Sequence, residues 1–214
     1  MNNKILNITN GDAFNEYFVS KHGGVAVPFR EAMMDGETVL DIYSEKFISV
    51  RSTVLCVSVE EYKSKMLTSG GLDILEYSKL CLWFGKDTFC QMNLLTLLAY
   101  LEQIEYRGEI SLNFIDDETF EVIEENIDVE LGIYKRVYED ILVSKCMPND
   151  IGALNLSAVE LYFDYHSNDG TLAKIVGENS NLSEIDLICL LLDSSKEYGL
   201  SDIQAKKLIE RNRK

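Results

Sequence analysis

The chain is short of the residues that most often announce a chemistry. Its 214 residues contain two histidines, His22 and His166, and neither stands at ligand spacing from a second metal-binding residue, so no structural zinc site is expected. Basic residues are scarce as well: 20 Lys and Arg face 36 Asp and Glu, a net charge of −16. Contacts to nucleic-acid phosphates require clustered Lys and Arg, so nucleic-acid binding is excluded as a general activity. The same charge disfavours an anionic membrane surface. No apolar run approaches the roughly 20 residues that cross a bilayer, so no membrane is expected. Neither the Walker nor the dinucleotide glycine spacing is present, and no cofactor is assigned. The five cysteines (Cys56, Cys81, Cys90, Cys146, Cys189) are odd in number and form no Cys-x-x-Cys pair. Most lie in apolar runs, the usage of reduced core residues. The first residues read as a strand and not as an export signal, and the expectation is a cytoplasmic protein.

What is present is an ordinary globular composition, 46% hydrophobic and 26% charged, which argues against disorder. One stretch organises it. Lys79–Phe84 is a continuous apolar run of the length of a central parallel strand. Gly85 breaks it, and Asp87 stands where a carboxylate can cap the next helix. From Met92 the apolar residues Leu94, Leu95, Leu97, Leu98 and Leu101 fall at helical period, predicting a long amphipathic helix. Other strands are predicted at Ile5–Ile8, at Val25–Phe29 (an edge strand, because Pro28 lacks a ladder donor) and at Glu109–Ile115. Alternation around Phe120–Leu131 predicts a further short strand or hairpin. Helices are predicted at Ala13–Ser20, Ser44–Cys56 and Ser58–Tyr77, the last interrupted at Gly70-Gly71, and at Ile133–Cys146. Met147-Pro148-Asn149-Asp150 reads as a boundary. Beyond it the pattern is helical only, with starts at Ser157, near Leu182 and at Ser201. The fold class is therefore α/β: a three-layer, Rossmann-like, mostly parallel sheet of four to five strands over residues 1–147, followed by a small all-helical C-terminal domain, 148–214. A strand order 2-1-3-4 places the topological switch point between the first and third strands.

The segment Trp83-Phe84-x-x-Asp87-x-Phe89-Cys90-Gln91, with the Leu-rich helix after it, resembles the signature of the bacterial domain-of-unknown-function family eighteen thirty-five. The resemblance is specific over about ten residues and extends over residues 4–145. Gly85-Lys86 stands here in place of that family's usual Glu-His pair. The resemblance implies a polar hook at Asn10-Gly11-Asp12 and an Arg-Glu step at Arg30-Glu31. It implies no reaction.

The candidate ligand-binding residues are Asn10, Asp12, Arg30, Glu31, Trp83, Asp87 and Gln91, at the C-terminal ends of strands one to three, where open α/β sheets bind ligands. Each also has a structural reading. Asp87 is a helix cap, Trp83 is core, and Arg30 either binds an anion bidentately or neutralises Asp12 or Asp87. Two functions follow. One is a site for a small anionic ligand, nucleotide- or phosphate-like. The other is a non-enzymatic regulatory or protein-interaction module. Its partner surfaces would be the helical tail and the stretch Asp116–Glu130, which holds eight acidic residues and no basic one. Asp116-Asp117-Glu118 can hold Mg²⁺ or form a solvated acidic loop. Cys90, near a helix N-terminus, is a candidate for a lowered thiol pKa and nucleophilic chemistry, or for plain packing.

Overall fold

A computed structural model describes residues 4–66 and 72–213. Gly70-Gly71, the expected interruption, lies outside the described residues. The elements are β1 (Ile5–Asn10), α1 (Asp12–His22), β2 (Ala26–Phe29), α2 (Glu45–Val54), α3 (Val59–Lys65), β3 (Lys79–Gly85), α4 (Thr88–Gln103), β4 (Glu109–Ile115), β5 (Val122–Asp128), α5 (Tyr134–Tyr138), α6 (Leu156–His166), α7 (Thr171–Glu178), α8 (Glu184–Ser194) and α9 (Asp202–Asn212). The sheet order is β2-β1-β3-β4-β5. The first three pairings are parallel and β5 joins β4 antiparallel. The fold is thus α/β and Rossmann-like, with the switch point between β1 and β3. Among the described residues no helix is long and apolar enough to cross a membrane.

β3 shows why the sheet forms here. Leu80, Leu82 and Phe84 are fully buried in the main core, while Trp83 points to the other face and packs on Phe14 and Phe18 of α1. The same period-two alternation runs through Leu6 and Ile8 of β1, both fully buried. Asp87 caps α4, its carboxylate accepting from the Cys90 amide at 2.9 Å.

α4 departs from the amphipathic expectation. Its polar residues Thr88, Gln91, Asn93 and Thr96 are as buried as its leucines. The sheet takes one side of it, and α5 with the C-terminal helices takes the other, so no face is left to water. Residues of those helices, among them Tyr162, Tyr165, Leu172, Leu191 and Leu208, belong to the same buried cluster as Leu94 and Leu98.

Smaller corrections have local causes. Helix α6 begins at Leu156 behind Asn155, so Ser157 lies inside the first turn and caps nothing. The Ile133–Cys146 segment is helical only to Tyr138 and then widens into a π turn, Glu139–Val143. Among the described residues, Ser58–Tyr77 forms α3 and a 3-10 turn, Ile74–Glu76. Helix α7 was not expected from the sequence. The capping box at Ser201 and Gln204 is formed in full.

Candidate functional site

The C-terminal ends of β1, β3 and β4 converge on a side-chain cluster behind an open crevice of about 520 Å³, walled on its other side by Asn155 and Ser157 near the start of α6 and by Lys196 and Glu197. Asp87 comes from the turn after β3 and Asp117 from the turn after β4. Cys90 comes from the first turn of α4. Their ligand atoms all lie within 4.8 Å of one another.

Each is positioned by its local chain. Asp116 accepts from the Glu118 and Thr119 amides and from the Thr119 hydroxyl, which closes the turn and holds its own carboxyl below the usual range. That turn swings the next residue, Asp117, inward, with Oδ1 3.4 Å from the Cys90 sulfur. Its Oδ2 lies 1.8 Å from where a Cβ on Gly85 would stand. Gly199 gives the same clearance on the other side, where a Cβ would come within 2.1 Å of Asp87 Oδ1. Two residues without side chains thus make room for two carboxylates.

The crowding shows in the protonation. Asp117 keeps solvent access as a residue, but its carboxyl is pushed up to about 8, first by burial and then by the Asp87 carboxylate facing it. At neutral pH the Asp117 carboxyl is therefore held largely in its protonated form. Cys90 is 3% exposed and accepts a hydrogen bond from Asn10 Nδ2 at 2.8 Å. Burial and the two carboxylates hold its thiol well above the ordinary range. The lowered pKa expected from its helix position is therefore reversed, because the helix terminus is outweighed by desolvation and by like charge. A nucleophilic thiolate is not formed here.

Of the seven candidates, Asn10 and Asp87 both reach Cys90, Asn10 at its sulfur and Asp87 at its amide. Asn10 links Cys90 to Asn93, whose buried amide also donates to the Glu31 carbonyl at 2.6 Å and accepts from the Met33 amide. Gln91 lies beneath the crevice, donating to the Gly85 carbonyl at 2.6 Å and accepting from the Asn155 amide at 2.9 Å. It joins the sheet edge to the C-terminal helices. The other four are elsewhere. Arg30 pairs with Asp12 at 2.8 Å and donates to the Lys65 carbonyl, so it takes the neutralising role. Asp12 is the first residue of α1, and the residue before it, Gly11, caps without a side chain. Trp83 donates to Asn7 on the α1 face. Glu31 is buried against Arg51 and accepts from the Tyr62 hydroxyl. Burial raises its carboxyl while the guanidinium opposes the rise.

Sequence reasoning passed over three residues. Arg51, fully buried, donates to the Ala32, Asp35 and Glu37 carbonyls and so ties down the loop after β2. No local pattern marks it. Lys86 and Lys196, which line the crevice, hold Glu124 and Glu118 at 2.9 Å. A cation at the strand end is a readable signal for Lys86, but Lys196 is distant in sequence. Comparisons with protein families, curated proteins and solved structures find nothing that matches this chain.

Proposed function

We propose that the crevice binds a small phosphate- or nucleotide-like anion, with a divalent cation between Asp87 and Asp117 joining the ligand to the sheet edge. The observation that carries this reading is the facing pair of carboxylates, Asp87 and Asp117, beside an open crevice at the topological switch point. A bare anion meets carboxylates there. A divalent cation that replaces the Asp117 proton neutralises the pair, and Mg²⁺ takes one or two carboxylates together with water and phosphate oxygens. Lys86 and Lys196 would meet the rest of the anion. Their present partners are exposed glutamates, and such pairs contribute about 0–1 kcal/mol, so a phosphate can displace them at little cost. The geometry carries this reading without the family resemblance. The alternative, a non-enzymatic interaction module, has separate support in the exposed acidic strand β5.

Calorimetry with Mg²⁺ and inorganic phosphate or ATP, run in buffers of different ionisation enthalpy, tests it. The expected result is binding that needs both metal and anion, releases about one proton near neutral pH, and is lost in Asp117→Asn. Binding of the anion without metal, or unchanged binding in the variant, would refute the cation bridge. No binding of any metal–anion pair would refute the function.

A further inference from the structure

Strand β5 is an open edge. Among the described residues it pairs with β4 on one side only, in the register Ser111 with Asp128, Leu112 with Ile127, Phe114 with Glu124 and Ile115 with Val122. Six of its seven residues are exposed, and two of these are apolar, Val122 at 47% and Ile123 at 54%. Every charged residue from Asp116 to Glu130 is acidic. An edge of this kind presents peptide N–H and C=O groups that only water satisfies, and another strand can satisfy them instead.

We propose that β5 is the docking edge for an extended, basic segment of a partner protein, which adds to the sheet as a sixth strand. Charge decides the occupant. Charged edges commonly serve to prevent edge-to-edge pairing. Here the charges are all of one sign, so a second copy of β5 would set Glu against Glu and Asp, and like charges directly opposite destabilise a strand pair. A strand carrying Lys or Arg meets the same side chains favourably. Val122 and Ile123, both exposed, give an added strand apolar contacts. The register slips once between Ile127 and Glu124, where Asn126 has left-handed backbone, and once between Glu124 and Val122, so each half of β5 carries an irregularity that an added strand has to follow. This edge adjoins the proposed anion site, since Ile123 lines the crevice and Glu124 holds Lys86, but its docking does not depend on the cation bridge.

The probe is a short fluorescent peptide alternating lysine with valine, followed by anisotropy against the full chain. Its control is the same peptide methylated at alternate backbone nitrogens, which keeps the charge and removes the strand donors. The expected result is binding that weakens with salt, falls by about tenfold or more in the Glu125→Lys/Asp128→Lys variant, and is absent for the methylated peptide. Both substituted positions are exposed, and an unchanged melting transition verifies the fold. Equal binding of the methylated peptide would reduce the effect to unspecific charge attraction and overturn the proposal. So would failure of the unmodified peptide to bind, unchanged binding by the variant, or self-association of the wild-type chain that the variant abolishes.

Discussion

Asp117 is the residue whose protonation the fold changes most visibly. Its carboxyl titrates near 8 in the folded chain, against a model-peptide value of about 3.9 for an unfolded aspartate. The folded state therefore binds more protons than the unfolded state between these values. The group's contribution to stability is fully present below about pH 4. It is lost as pH rises through about 8. Asp117→Asn carries no titrating group, so the variant should gain stability relative to the parent as pH rises from 5 to 8. Urea midpoints at the two pH values measure this, and a constant difference between the proteins would contradict the raised Asp117 carboxyl. The sequence showed this residue only as one acid in an acidic run, where a solvated loop was the natural reading. Its inward turn comes from the bonds of Asp116 and from the empty space over Gly85, and neither is visible in a string of residue types.

At the scale of elements, the loop between β2 and α2 is held from within by one side chain. Arg51 satisfies three backbone carbonyls and stands 3.5 Å from the buried Glu31 carboxylate. Removing one partner of a buried pair typically costs about 3–5 kcal/mol, because the other charge is left unpaired. Arg51→Met should destabilise by about that amount at pH 8. The cost should be smaller at pH 5, where Glu31, already raised by burial, takes up a proton more readily. Denaturant midpoints at both pH values measure it. A cost below about 1 kcal/mol at pH 8 would show that the pair contributes nothing beyond an ordinary hydrogen bond. The elements themselves were largely legible: β4 falls at the expected residues, β3 and the capped α4 nearly so, and β2 lies at the sheet edge where Pro28 placed it. α7 and the π turn were not legible, because neither carries a side-chain cap and each is short, eight and five residues.

On the scale of the whole molecule, the helices after residue 148 and the sheet share one buried cluster around α4. Hydrogen bonds cross between them: Asn155 to Gln91 and to the Lys86 carbonyl, Tyr165 to Asp35, and the His166 ring to the Met34 carbonyl. A chain ending at residue 147 would expose the outer side of α4, including leucines that each contribute about 1.5–3 kcal/mol by burial. Such a chain should lose its single cooperative unfolding transition and bind a hydrophobic dye. Calorimetric melting together with dye fluorescence checks this. A sharp transition without dye binding would show instead that residues 1–147 fold alone.

What the sequence determined by itself is what neighbours along the chain decide. Alternation and helical period, caps and turns specified the α/β class and the central strand and helix. They also placed Asp87 at a strand end that faces a crevice. Only the tertiary structure decided which charged groups meet. Asp87 faces Asp117 and not Asp12; Arg30 serves Asp12, and burial and the two carboxylates push the Cys90 thiol up. The reason is physical. A side chain's partner depends on strand order, on the inward or outward swing of a turn, and on which glycine leaves room beside it, and these are contacts between residues that lie far apart in the chain.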